Sequence, residues 1–382
     1  MSEPNRKGAK ADRSGKHSDD GVCRVLVVDD SAVARGIVTR TLDEEPGIRV
    51  EASAPNGLMA LKAVGTHDID VVVLDIEMPA LDGMAALPRL LAANPNLKII
   101  MVSSASQTDA DIALKAMALG AVDYIPKPST GLGGAESFRE ELIAKVKAHS
   151  APGKLSPAAR KPERPPKPVA VPAAPAKTGR PSARKKTIRP DVIAIGSSTG
   201  GPQALAEVLK ELDRSVRQPI LITQHMPATF TALLAEHMSR YSGREAAEAR
   251  EGEVLAPGRI YIAPGGKHLI VEQRAAGGVM ISLDDGPPEN SCKPAVDPML
   301  RSLARIYKER LLVVILTGMG CDGLKGCEEV VAEGGTVLVQ DQETSVVWGM
   351  PGAVAQAGFS HEILPLTQIG SAIARIAGGD GR

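Results

Sequence analysis

Residues 193–205 read IAIGSSTGGPQAL: an apolar run breaks into a small, polar, glycine-rich turn and then takes on helical character. A strand, a tight turn and a helix in that order form the repeating unit of a parallel α/β sheet. The same alternation extends in both directions. Upstream the apolar runs are RVLVV (24–28), VVVLD (71–75), KIIMVS (98–103) and a short AVDYI (121–125), separated by helix-like stretches such as GLMALKAVG (57–65). Downstream they are VIAIG (192–196), ILITQ (220–224), RIYIAPG (259–265), LLVVILT (311–317) and TVLVQD (336–341). The pattern predicts an α/β protein with two doubly wound parallel-sheet domains and no internal repeat.

The two series of strands are separated by a change in composition. Between Ala151 and Pro190 there are ten prolines, eleven Lys or Arg and one acid, Glu163. Such a segment buries too little apolar surface to offset its ordering entropy, so it is expected to be a disordered, semi-extended linker. The expected boundaries are a disordered tail over 1–21, a first domain over 22–148, the Pro/Lys/Arg-rich linker over 149–190 and a second domain over 191–378. With 382 residues the chain can bury a core in each domain. The formal charge is zero, and with aromatic residues at 2% there are few rings for base stacking, so no nucleic-acid partner is expected. No apolar stretch reaches the roughly 20 residues of a membrane span, and the N-terminus is too polar for a signal peptide, so a cytoplasmic chain without membrane insertion is expected. The four cysteines show no CxxC spacing, which argues against structural zinc.

In an open parallel sheet, ligands meet the loops beyond the carboxyl ends of the strands. In the first domain those ends carry Asp29 and Asp30, then Asp75, then Ser103, with Lys127 after the last run. A lone strand-end aspartate is accounted for by capping the following helix. Three converging carboxylates raise one another's pKa unless a cation sits among them, and a hard, oxygen-preferring Mg²⁺ fits.

In the second domain the turn could face a phosphate, a dinucleotide or a carbonyl carbon. It has no GxGxxG spacing and no following P-loop lysine, but Gly196, Ser198 and Gly200 satisfy G-x-S-x-G, in which a sharp turn lifts a serine above the sheet. The next strand ends in His225 and a later one runs into GMGCDG, which carries Asp322. Ser198 needs a neutral imidazole to take its proton, and His225 needs a buried acceptor to fix its tautomer. The amides of Thr199 and Met319 are the expected oxyanion donors. His268 is a weaker rival for the base, His237 and His361 have structural or solvated roles, and Cys321 lacks a cation to activate it as a thiol nucleophile.

The stretches VLVVDDSAVAR, VVVLDIEMPALDG, IIMVSS and DYIPKP resemble the receiver domain of two-component response regulators, which implies a flavodoxin-like fold. The resemblance implies Asp75 as phospho-acceptor, Mg²⁺ held by Asp30, Asp75 and the Glu77 carbonyl with Asp29 completing the acidic shell, and Ser103, Tyr124 and Lys127 as the switch residues. IAIGSSTGGPQAL, LITQHMP, YIAPGGKH, VILTGMGCDG and GMPGAV resemble the catalytic domain of the bacterial chemotaxis protein-glutamate methylesterases, a Rossmann-like domain that usually follows a receiver. That resemblance implies a Ser198-His225-Asp322 triad with no cofactor of its own. The implied reaction is hydrolysis of glutamate γ-methyl esters, with deamidation of glutamines, on methyl-accepting chemoreceptors, under control of a chemotaxis histidine kinase. Ser197 and Cys321 stand where the family often has alanine and asparagine. The competing reading is a response regulator whose second domain binds a nucleotide or a partner without catalysis. The loop NSCKPAVDPM (290–299) and Met226 are the expected substrate-selecting elements.

Overall fold

A computed structural model describes residues 21–103, 106–127, 134–150 and 188–378. The expected tail (1–21) and linker (149–190) lie, apart from a few residues at their edges, outside the described residues. The first domain runs β1 (Cys23–Val28), α1 (Ala32–Asp43), β2 (Ile48–Ala54), α2 (Gly57–Thr66), β3 (Val71–Asp75), α3 (Gly83–Ala93), β4 (Lys98–Ser103), α4 (Gln107–Ala118), β5 (Asp123–Pro126) and α5 (Gly134–Ala148). Its strands pair in parallel in the order β2-β1-β3-β4-β5. The direction of winding reverses between β1 and β3, so Asp29, Asp30 and Asp75 leave adjacent strands at one edge. β1, β3 and β4 are apolar along their length because helices cover both faces. β2 was not among the expected strands: at the sheet's edge it alternates Ile-Arg-Val-Glu-Ala-Ser-Ala rather than running apolar.

The second domain runs β6 (Val192–Ser197), α6 (Gly201–Lys210), β7 (Ile220–Gln224), α7 (Ala228–Ser242), β8 (Ala246–Glu248), β9 (Ile260–Ile262), β10 (His268–Gln273), β11 (Val279–Asp284), α8 (Val296–Tyr307), β12 (Leu311–Ile315), α9 (Leu324–Ala332), β13 (Thr336–Gln340), α10 (Met350–Gln356), β14 (Glu362–Leu364) and α11 (Leu366–Gly378). Seven of these strands form one parallel sheet in the order β14-β13-β12-β6-β7-β9-β8. β10 and β11 form a separate antiparallel hairpin. The winding reverses at β6, which lies between β12 and β7. The loops after those three strands carry Ser198, Asp322 and His225 and therefore open side by side. Among the described residues no helix is long and apolar enough to cross a membrane.

The domains touch through α4 and β5 of the first and α6 and α7 of the second. One side of each apolar core joins the other across this contact in a continuous cluster, and the rest of each core stays within its own domain. At the contact, Tyr124 stacks on Phe230 with ring centroids 4.2 Å apart. Gln203 Nε2 donates to the carbonyls of Ala121 (2.6 Å) and Met117 (3.3 Å). His237 Nε2 lies 3.4 Å from Asp111 Oδ1. A groove of about 650 Å³, partly lined by Met117, Gln203, Leu234 and Tyr241, runs along the contact.

Candidate active site

β6 delivers Ser198 on a turn whose geometry depends on missing side chains nearby. A Cβ on Gly318 would lie 2.3 Å from Met350 Sδ and 2.9 Å from Ser198 Cβ, so only glycine lets the loop after β12 approach the serine. A Cβ on Gly201 would lie 1.9 Å from Gln224 Oε1. Gln224, at the end of β7, uses the room so created: Oε1 accepts from Ser197 Oγ at 2.7 Å, and Nε2 donates to the carbonyls of Ser198 (2.9 Å) and His225 (3.3 Å). One buried amide thus ties the serine turn to the histidine loop.

His225 Nε2 lies 2.7 Å from Asp322 Oδ2. Asp322 is 2% exposed. Its Oδ2 also accepts the amide of Val296 (2.6 Å), and its Oδ1 accepts the amides of Gly323 (3.0 Å) and Asp297 (3.2 Å) and Asn290 Nδ2 (2.8 Å). The amides of Val296 and Asp297 belong to the first turn of α8, whose dipole favours an anion there. Burial would raise the Asp322 pKa, but His225 and these amides outweigh it and hold the carboxyl below its ordinary range. Burial would likewise lower the His225 pKa. Asp322 and the sulfur of Cys292 reverse that and hold the imidazole at about 9. Behind the pair, buried Asp297 is pushed upward by burial and by Asp322, and shares the Asn290 amide through its Oδ2 at 3.0 Å.

The other side of the His225 ring differs from the expected arrangement. The second ring nitrogen, Nδ1, faces Cys292 Sγ at 3.3 Å. Among the described residues the Ser198 hydroxyl has no hydrogen-bond partner, and neither do the amides of Thr199 and Met319, which leaves both N–H groups available. The 290–299 loop, expected to select substrate, places Asn290 and the α8 amides against Asp322 and Cys292 against His225. Met226 is 5% exposed and packs in the core. His268 is committed elsewhere: Nε2 meets the Pro287 carbonyl at 3.0 Å and Nδ1 accepts the Ala295 amide at 3.1 Å. His361 Nδ1 accepts the Val337 amide, and Cys321 is exposed.

In the first domain, carboxylate oxygens of Asp29, Asp30 and Asp75 lie within 4.8 Å of one another. Lys127 Nζ stands 2.9 Å from Asp75 Oδ2 and 3.6 Å from Asp29 Oδ2. Burial raises the Asp75 pKa, with Asp29 adding to the rise and Lys127 opposing it. One lysine leaves a cluster of three carboxylates net negative, and Asp75 Oδ2 and Ser103 Oγ are both buried without a well-formed hydrogen bond. An all-oxygen donor set with surplus negative charge suits a hard divalent cation. The Glu77 side chain points to solvent, so only its carbonyl could join this set. Tyr124 is 5% exposed and lies under Lys145 Nζ, 5.0 Å from the ring centroid, as well as against Phe230.

Residues 193–373 match the CheB methylesterase family, and residues 25–132 match the response regulator receiver domain. The chain is 54% identical over 372 residues to the protein-glutamate methylesterase/protein-glutamine glutaminase of Azospirillum brasilense, covering 93% of this chain and 92% of that protein. It is 53% identical over 382 residues to the protein-glutamate methylesterase/protein-glutamine glutaminase of group 2 operon of Rhodospirillum centenum, covering 95% and 96%. Among solved structures, the Thermotoga maritima CheB methylesterase catalytic domain aligns at 41% identity with a TM-score of 0.47, over 49% of this chain and 98% of that one.

Proposed function

The chain belongs to the CheB methylesterase family of protein-glutamate methylesterases/protein-glutamine glutaminases, and from that premise we propose that it hydrolyses glutamate γ-methyl esters and deamidates glutamines on chemoreceptors through Ser198, His225 and Asp322. The observation that carries this reading is the 2.7 Å contact between His225 Nε2 and Asp322 Oδ2 beside the Ser198 turn. Because Asp322 occupies Nε2, the nitrogen that takes the serine proton is Nδ1. Ser198 Oγ attacks the ester carbonyl carbon as its proton passes to Nδ1, and the amides of Thr199 and Met319 receive the oxyanion. The imidazolium, stabilised by Asp322, then protonates the departing methoxide to give methanol. Water attacks the acyl-serine by the same proton route, giving the glutamate carboxylate and restoring Ser198. For a glutamine side chain the departing group is ammonia.

Asp75 is the proposed phospho-acceptor, charged by a chemotaxis histidine kinase. Asp29, Asp30, Asp75 and the Glu77 carbonyl would hold Mg²⁺, which when bound offsets the charge of the carboxylates and the incoming phosphoryl group. Ser103 and Lys127 would then meet the phosphoryl oxygens. Phosphorylation is proposed to loosen the contact of α4 and β5 with α6 and α7. That contact includes Tyr124, and α6 and α7 begin just after Ser198 and His225, so the docked receiver restricts the approach of a helical substrate.

The test is methanol release from methylated receptor membranes. Ser198→Ala, His225→Ala and Asp322→Ala should each remove most of the activity, and combining them should cost little more than the worst single change, because the three act as a unit. Asp75→Asn should fold normally and lose both Mg²⁺-dependent phosphorylation and its stimulation of turnover. Additive losses across the triad, or an unchanged rate in Ser198→Ala, would refute the assignment and favour a non-catalytic output domain.

A further inference from the structure

Cys292 occupies a built position. Its loop, between β11 and α8, is closed by reciprocal backbone hydrogen bonds between Glu289 and Cys292 (2.8 and 3.1 Å). Glu289 is in turn held by Arg301 of α8, whose Nη1 donates to Glu289 Oε2 at 2.9 Å. Lys293 O accepts the Gly266 amide, and Asn290 and Ser291 take positive φ of 51° and 63° to make the turn. This framework sets the sulfur 3.3 Å from His225 Nδ1, the nitrogen that the proposed reaction requires. The titratable groups facing His225 among the described residues are Asp322, from the loop after β12, and Cys292; Asp297 of α8 stands behind Asp322.

We propose that Cys292 is a positioning residue that holds the His225 base in the resting enzyme, sharing a proton with Nδ1 and yielding that nitrogen before Ser198 can be deprotonated. This rests on Ser198 as the nucleophile. In the resting pair the proton lies between Sγ and Nδ1. On activation that proton leaves Nδ1 for solvent, the Nδ1 lone pair is freed, and the Ser198 proton moves to Nδ1 as the Oγ–carbon bond forms. No oxidant or additional reactant is required. The sulfur therefore fixes the ring's orientation, and it also makes the imidazole harder to keep neutral than it would be with Asp322 alone.

The experiment uses the full chain, a fluorophosphonate that phosphonylates activated serines, and peptide mass mapping to locate the label, with rates followed from pH 5.5 to 10. Wild-type protein should label at Ser198, with a rate that rises with pH as His225 loses its proton. Cys292→Ala should move that rise about one pH unit lower, so that labelling at pH 7 is about tenfold faster. Cys292→Ser keeps a polar side chain but, with its shorter C–O bond, sets the hydroxyl farther from Nδ1, and should move it in the same direction. A rise at the wild-type pH in both variants, or a uniform loss of rate at every pH, would overturn the proposal and leave Cys292 a packing residue. Loss of all methanol release in Cys292→Ala with Ser198 unlabelled would overturn it in favour of a thiol nucleophile. Wild-type turnover with no label on Ser198 would instead remove the nucleophile on which the inference rests.

Discussion

Gln203→Ala isolates the contact between the domains without touching either chemical centre. Gln203 sits in the first turn of α6, and its Nε2 donates across the boundary to Ala121 O at 2.6 Å and to Met117 O at 3.3 Å. A net hydrogen bond of good geometry is worth about 0.5–1.5 kcal/mol, and the longer one is weaker. The Gln203 Oε1 is already buried without a partner, so its removal recovers part of the loss. The docked state should therefore be weakened by about 1–2 kcal/mol, which changes the open-to-docked ratio roughly 5- to 30-fold. If unphosphorylated enzyme is mostly docked, basal methanol release should rise by that factor, up to the ceiling set by phosphorylated protein. The phosphorylated variant should match phosphorylated wild type, which shows that α6 still presents Ser198 correctly. A basal rate unchanged from wild type, in a protein whose phosphorylated form is much faster, would refute the reasoning and mean that phosphorylation activates by some route other than release of this contact.

Gly318→Ala places a methyl 2.3 Å from Met350 Sδ and 2.9 Å from Ser198 Cβ. The crowding should destabilise the second domain by about 1–3 kcal/mol and displace the serine. Methanol release should fall far more than the urea midpoint does, and near-normal turnover would show that the loop after β12 does not constrain Ser198. Asp123 tests pH dependence in the first domain. Burial would raise its pKa, but Lys145 at 3.0 Å and His149 pull it down to about 2. A carboxyl whose folded pKa is depressed contributes stability that is present above its unfolded value near 4 and is lost as pH falls through about 2. The stability difference between wild type and Asp123→Asn, read from urea melts, should shrink by about 2 kcal/mol between pH 5 and 2, and a constant difference would exclude that linkage.

Much of this protein could be read from its linear order because parallel sheets announce themselves. A strand covered on both faces is largely apolar along its length, so β1, β3, β4, β6, β7, β12 and β13 stood out as runs, and the polar residues at or just after the ends of several of them became the candidate site residues. Asp29, Asp75, Ser103, Ser198 and His225 were visible for this reason, and Asp322 because glycines surround it. Elements without that signature were not visible. Edge strand β2 alternates because only one of its faces is fully covered, and the β10–β11 hairpin and the three-residue β8 and β14 are too short or too mixed to separate from loops. The support of the site belongs to the tertiary structure alone. Gln224 is one polar residue at the end of an apolar run, and only the absence of a side chain at Gly201 gives it room to tie two loops together. Asn290 and Cys292 lie 32 and 30 residues before Asp322 in the chain, yet α8 packs across β6 and sets one against the aspartate and the other against the histidine. Residue types fix which chemistry is available. Which nitrogen of His225 meets the carboxylate, and which atom occupies the other, depends on how α8 and its loop pack over the sheet, and no local pattern encodes that.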